Sequence, residues 1–176
     1  MNTKKILIVL AAILGLQVFA VAQTAPASSE DEYEKEYQKR LQKEYLFGVY
    51  IPKDLTDAFI QLNKLIDDES KAKFKSLDEA DAVKRLHFSF GRWMTYNWSF
   101  YEGSRFSAYL KKLGIHHPED MATFVMISYH RNLNRKSLDV KQQINQIHQK
   151  RKAERDAKLQ GGEVLHQEKR KRNGGE

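Results

Sequence analysis

The sequence predicts an all-α fold, a single small domain of four or five helices. Two observations indicate this: large apolar residues recur at helical spacing, and the alternating pattern of half-buried strands is absent. Residues 46–140 contain 15 of the 19 aromatic residues, and a segment of this length can form one modest hydrophobic core. We therefore expect the globular domain at 46–140, a polar linker at 23–45 and a basic, partly helical tail at 141–176.

The first helix of the domain is predicted to begin near Pro52. Proline is favoured in the first turn of a helix, because the N–H group that it lacks has no partner there. One face of this helix carries Leu55, Phe59, Leu62 and Ile66. That face is expected to pack on the core.

A second helix is predicted over residues 77–98, because Ser76 and Glu79 have the spacing of a capping box. Its apolar stripe consists of Val83, Leu86, Phe90, Trp93, Met94 and Trp98. The residues expected to point away from the core are Arg85, Phe88, Arg92, Thr95 and Tyr96. Phe88 and Tyr96 would then be covered by another helix or form an exposed aromatic patch.

Two polar residues belong to the stripe, Asn97 in its middle and His87 near its edge. A polar group on an apolar face must be hydrogen-bonded when it is buried. One interpretation makes both of them core residues that tie the helix to a neighbouring backbone. The other makes them the floor of a pocket, with Trp93 or Trp98 as a wall.

Start and stop signals predict the remaining helices. Ser104 can cap the start of a short helix, and Gly114 fits the position after its end. Pro118 begins a helix that runs to about Leu133. That helix is apolar nearly all round, which indicates a central, buried position. Asp139 can start a last helix that continues into the tail.

The N-terminus has the features of a secretory signal peptide at residues 1–22. Lys4 and Lys5 precede an apolar run over residues 6–16, and an A-x-A signal ends at Ala22. We expect cleavage after Ala22, export to the periplasm or the medium, and no stable membrane span afterwards. The alternative is an uncleaved membrane anchor. Because the chain contains no cysteine, disulfides and thiolate metal sites are excluded.

Recognisable catalytic motifs are missing from the sequence. His116, His117 and Asp120 could offer metal ligands, but adjacent histidines do not point the same way on a helix. We therefore expect no metal and no cofactor.

Arg92 is a charged residue whose side chain could lie in a cleft together with other charged side chains. The candidates for a pocket, or for buried polar groups and their neighbours, are His87, Trp93, Asn97, Trp98, Arg105, Asp120, His130 and Arg131.

The tail carries much of the positive charge of the chain, whose formal net charge is +7. Its basic clusters consist of Lys150, Arg151, Lys152, Lys169, Arg170, Lys171 and Arg172. Such clusters could make weak contacts with a polyanion, an anionic lipid or a glycan. The alternative is a solvated, partly disordered end without a partner.

Several short segments are distinctive as a set: Ile51–Leu55 (I-P-x-D-L), His87–Trp93 (H-F-x-x-G-x-W), Asn97–Trp98, Gly103–Arg105, His117–Met121 (H-P-x-D-M) and Tyr129–Leu133. Together they resemble an uncharacterised family of small bacterial helical domains. The resemblance covers residues 50–140 and implies a bacterial source and a helical fold. It implies no activity.

Three functions remain open on the sequence. The first is an exported, non-catalytic interaction module that binds a protein or an envelope component. The second is a small envelope enzyme, such as a hydrolase, that uses His87, Asp120 or His130 with an arginine. The third is polyanion binding through the tail. The absence of a recognisable nucleophile and base favours the first.

Overall fold

The computed structural model describes residues 29–160 and confirms the all-α class. The predicted signal peptide, the start of the linker and the end of the tail lie outside these residues. The chain divides into two units, residues 1–34 and 35–176, and only the start of the first helix is described in the former. The elements are α1 (Glu30–Gln42), β1 (Tyr45–Leu46), β2 (Val49–Tyr50), α2 (Leu55–Leu65), α3 (Asp68–Ser76), α4 (Glu79–Leu86), a π-helical segment (His87–Gly91), α5 (Arg92–Asn97), α6 (Arg105–Lys112), α7 (Pro118–Leu133) and α8 (Val140–Gln160).

Helix α7 occupies the centre of the core. It packs against α3, α4, the π-helical segment, α5, α6 and α8. Met121, Phe124, Val125 and Met126 have no exposed surface. The nearly all-round apolar sequence of this helix therefore matches its buried position, and Pro118 is its first residue, as predicted.

The predicted capping box at Ser76 is wrong. Ser76 is the last residue of α3, and Asp78 caps α4 by accepting a hydrogen bond from the N–H of Ala80 at 2.9 Å. The sequence analysis did not predict α3, because its single buried residue, Phe74, gives it no apolar stripe. The structure consequently has more and shorter helices than the predicted four or five.

The predicted helix over residues 77–98 is interrupted by the π-helical segment. The N–H of Arg92 donates to the carbonyl of His87, five residues earlier. One extra residue in a turn shifts the buried face of the following turn. Thr95, which was predicted to point outward, is therefore buried, and Asn97 is only half-buried at the end of α5.

Gly91 ends the π-helical segment beneath α7. A Cβ atom added there would lie 3.2 Å from Sδ of Met126 and 3.5 Å from Nδ1 of His87. The missing side chain allows the backbone of this segment to approach α7 closely.

A two-stranded antiparallel hairpin precedes α2 and was not predicted. Tyr45 pairs with Tyr50, and Leu46 pairs with Val49. Leu46 is buried, and Val49 packs against the core. Strands of two residues are too short to show an alternating pattern in the sequence.

Helix α1 contacts the domain from within the predicted linker. Lys111 Nζ donates to Tyr37 Oη at 3.0 Å, and the guanidinium of Arg40 donates twice to the carbonyl of Glu102. The ring of Tyr37 also covers Gly103, whose φ is +93°. This contact places residues of the linker on the surface of the helical domain.

The predicted tail also contributes to the domain. Ile144 and Ile147 pack against the core, and Gln143 is buried with its amide donating to the carbonyl of Leu138 and to Ser128 Oγ. The packed structure therefore extends past Val140 into the first half of α8.

We predict that Gly103→Ala destabilises the protein by about 2 kcal/mol, because of its left-handed φ and overlap with the ring of Tyr37. An added Cβ would lie 2.2 Å from Cε2 of that ring. Denaturant titration measures the change. In a Tyr37→Ala background the overlap is gone, so the same substitution is expected to cost only about 1 kcal/mol. Equal costs in both backgrounds would contradict the proposed contact.

Candidate functional site

A cleft with a volume of about 670 Å³ lies beside the π-helical segment. Its lining combines aromatic and charged side chains: His87, Phe88, Arg92, Thr95, Tyr96, Tyr101, Glu102 and Glu119. Of the eight residues that the sequence analysis selected, only His87 belongs to this cleft. Arg92, the additional charged candidate, belongs to it as well.

A hydrogen-bonded group of three side chains forms one wall of the cleft. Nε2 of His87 lies 3.0 Å from Oε2 of Glu119. The hydroxyl of Tyr101 donates to the other carboxylate oxygen, Oε1, at 2.5 Å. This hydrogen bond raises the pKa of Tyr101 above its ordinary value. Both oxygens of Glu119 are thus engaged within the protein.

The backbone fixes the position of each of these three side chains. His87 opens the π-helical segment, and Glu119 lies in the first turn of α7, where the helix dipole favours a carboxylate. Tyr101 lies in the turn between α5 and α6. The group therefore joins three separate parts of the chain.

Exposed aromatic rings form the rim of the cleft. Phe88 is 83 % exposed, Tyr96 71 % and Tyr101 59 %. Phe88 also packs edge-to-face on the imidazole of His87, with 5.4 Å between ring centroids. The outward orientation predicted for Phe88 and Tyr96 agrees with the structure, and no other helix within residues 29–160 covers either ring. We call Phe88, Tyr96 and Tyr101 the aromatic rim.

The two tryptophans are core or near-core residues rather than walls of the cleft. Trp98 is buried and makes edge-to-face contacts with Phe106 and Trp93. The amide of Asn97 donates to the carbonyl of Trp93 at 2.9 Å, within its own helix. This hydrogen bond gives Asn97 a local structural role.

Arg105 connects α6 to the hairpin. Its Nε donates to the carbonyl of Ile51 at 2.7 Å, and its Nη1 donates to Glu44 at 3.0 Å. The guanidinium also lies over the ring of Tyr50, 5.1 Å from the ring centroid. Arg105 thus fixes the approach of the hairpin to the domain.

Asp120 pairs with a residue of the basic tail. Its carboxylate accepts a hydrogen bond from Nε of Arg151 at 2.6 Å. Nη2 of the same arginine lies 2.9 Å from Nδ1 of His117. The hydrogen bond to Asp120 raises the pKa of Arg151 above its already high value. The pair attaches α8 to the start of α7.

His130 and Arg131 attach the end of α7 to the start of α4. Nε2 of the buried His130 lies 3.0 Å from the carbonyl of Leu77. Arg131 forms a two-bond pair with Glu79 at 2.8 Å, and the guanidinium holds the pKa of that carboxyl below its ordinary value. Both residues thus hold the end of α7 against the start of α4.

The sequence analysis missed Glu119, Tyr101 and Glu102. Glu119 lies in the first turn of α7, where an acidic residue is favoured without any function, and Tyr101 lies in a turn without periodicity. Their meeting with His87 depends on the packing of α7 against the π-helical segment. The sequence signals of this site were the candidates His87 and Arg92 and the outward orientation predicted for Phe88 and Tyr96.

Within residues 29–160, no group of three or more acidic, histidine or cysteine side chains could hold a metal ion. The same residues contain no helix that combines the length and the hydrophobicity of a membrane span.

Residues 51–133 match the family model of a domain of unknown function, DUF6794. This match confirms the predicted resemblance to an uncharacterised family. It covers α2 through α7 and thus includes His87, Glu119 and the aromatic rim. No curated protein and no solved structure shows significant similarity to the chain.

We predict that Arg151→Ala destabilises the protein by about 2 kcal/mol, because it leaves the nearly buried carboxylate of Asp120 without its partner. Lys150→Ala is the matched control on the same helix, since Lys150 is exposed and lies 3.9 Å from Glu154. Its cost is expected to be below about 0.5 kcal/mol. Thermal or urea denaturation measures both, and equal costs would refute the attachment of α8 through Asp120.

Proposed function

We propose that this protein is an exported, non-catalytic interaction module that binds a protein or an envelope component through the aromatic rim and its cleft. The observation that carries the proposal is the exposure of three aromatic rings around one concave site. Large aromatic side chains are normally buried, and a cluster of them on the surface is typical of a binding site.

The composition of the cleft fits recognition of a macromolecule. Tyrosine, phenylalanine and arginine are enriched in the centre of protein interfaces, and tyrosine and arginine are enriched among the residues that contribute most of the binding energy. Arg92 lies among the rings, and Glu102 and Glu119 supply opposite charge. A partner that presents both apolar and charged groups would find complementary contacts here.

Catalysis is the second candidate, because a histidine beside a carboxylate can act as a general base. The geometry gives this role less support. Nε2 of His87 already contacts Glu119, and Nδ1 lies close to the backbone of the same helical segment, 3.5 Å from a Cβ atom added to Gly91. The pair is therefore better suited to hold the wall of the cleft in place than to take a proton from a substrate.

Polyanion binding through the tail is the third candidate. Arg151 pairs with Asp120 and Glu154, so it is less available to a polyanion than the exposed Lys150 and Lys152. The second basic cluster, residues 169–172, lies outside the described part of the chain.

Photo-crosslinking in cells tests the interaction module. A benzophenone amino acid at Phe88 or Tyr96 is expected to give discrete adducts with one envelope protein or glycan. The control position is Ile60 on α2, an exposed apolar residue that does not line the cleft. Adducts at Ile60 as strong as those at the rim, or none at the rim, would count against the proposal.

The export component has its own test. Intact-mass analysis of the protein from the envelope or the medium of the producing cells is expected to show a chain that begins at Gln23. Recovery of the chain with residues 1–22 still attached in the membrane would instead support an anchor.

A further inference from the structure

The turn between α5 and α6, residues 98–103, carries two side chains of the cleft. Tyr101 and Glu102 line the cleft and are exposed, whereas Gly103 after them is buried. The turn contains two positive φ angles, +49° at the buried Ser99 and +93° at Gly103. A backbone in this conformation needs contacts from the surrounding structure to hold one shape. We call these six residues the cleft turn.

Helix α1 supplies such contacts. Tyr37 and Arg40 are both half-buried and lie three residues apart, so they share the face of α1 that contacts the domain. The guanidinium of Arg40 donates to the carbonyl of Glu102 from Nε at 3.2 Å and from Nη2 at 2.9 Å. The ring of Tyr37 covers Gly103, and Lys111 of α6 donates to the hydroxyl of this tyrosine. Helix α1 therefore contacts the backbone of the cleft turn without lining the cleft.

The other side of the cleft turn makes the hydrogen bond that completes the wall of the cleft. The hydroxyl of Tyr101 donates to the carboxylate of Glu119 on α7. Glu102, whose carbonyl Arg40 binds, is the next residue of the chain, so a displacement of that carbonyl moves Tyr101 as well. Hydrogen bonds weaken steeply when their geometry changes. The contact with α1 and the wall of the cleft are thus mechanically connected through two adjacent residues.

We propose that Tyr37 and Arg40 are positioning residues of the cleft, which has its binding shape only while α1 is docked. This inference rests on the proposed binding of a partner through the aromatic rim, to which Tyr101 belongs. A partner that contacts Tyr101 or Glu102 then also stabilises the docking of α1, because coupling between two sites is reciprocal. The matched family segment, residues 51–133, contains the cleft but not α1. The element that positions the cleft therefore lies outside the family domain.

The ionisation of Tyr101 reports whether α1 positions it, because its hydrogen bond to Glu119 raises the pKa of Tyr101. NMR titration of the chain from Gln23, with isotope-labelled tyrosine, measures this pKa, and Tyr101→Phe identifies the resonance. Arg40→Ala and Tyr37→Ala are each expected to lower the pKa toward the ordinary tyrosine value, because they loosen that hydrogen bond. Loss of the Arg40 charge by itself would raise the pKa, since removal of a cation disfavours the tyrosinate. The sign of the change therefore separates positioning from a charge effect.

Two variants of α1 are controls for this titration. Lys39→Ala removes a cation from the same helix, and within the described residues the side chain of Lys39 pairs with Glu36 of α1. It is expected to leave the pKa of the cleft tyrosine unchanged. Tyr37→Phe keeps the ring over Gly103 and is expected to stay close to the natural chain. An unchanged pKa in both Arg40→Ala and Tyr37→Ala, or an equal fall in Lys39→Ala, would overturn the positioning.

Photo-crosslinking decides whether this positioning controls binding. With the benzophenone amino acid at Phe88, Arg40→Ala is expected to lower the yield of rim adducts at least about threefold, because fewer molecules hold the binding shape. Lys39→Ala is expected to leave the yield unchanged. An unchanged yield in Arg40→Ala would overturn the coupling and leave the proposed function intact. Absence of adducts from the natural chain would refute the proposed function, and the titration of Tyr101 would still decide the positioning.

Discussion

Helix α7 must be buried on nearly every side, and most other features of the domain follow from this requirement. A helix whose apolar residues surround it needs neighbours all round, because each uncovered face would expose hydrophobic surface to water. The six elements named above supply much of that cover, and α2 adds to it through the contact of Phe59 with Tyr129. They approach closely only where the backbone permits it, as at Gly91, which has no side chain between its helix and Met126. The surrounding helices are short because the chain must change direction repeatedly to cover α7 on all sides.

Three arginines attach these neighbours to one another. Arg131 joins α7 to α4, Arg151 joins α8 to α7, and Arg105 joins α6 to the hairpin. Each arginine has at least two hydrogen bonds to other elements, and its planar head suits such bridging. Several residues that could have formed an active site are therefore already engaged in holding the helices together.

The exposed surface around the cleft is rich in aromatic rings. The aromatic rim is supported from behind by the buried residues Thr95 and Gly91. An exposed ring on a rigid base loses little conformational entropy when it is covered, which favours binding.

The sequence by itself determined the helical class, the central position of α7 and the helix limits at Ser104, Gly114 and Pro118. Each of these depends on local chemistry: periodic apolar residues, side-chain caps and a positive φ at glycine. It also indicated that Phe88 and Tyr96 point outward. Short motifs in the central segments also predicted the resemblance to an uncharacterised family.

Tertiary structure alone decided the π-helical segment, the hairpin and the docking of α1 and α8. A π-turn changes the register of a helix by one residue, and it is stabilised by packing against α7 rather than by any propensity of residues 87–91. The meeting of His87 with Glu119 and Tyr101 joins positions up to 32 residues apart, a distance over which periodicity carries no information. Long-range pairing of this kind depends on how the helices pack, and helical spacing in the sequence cannot encode it.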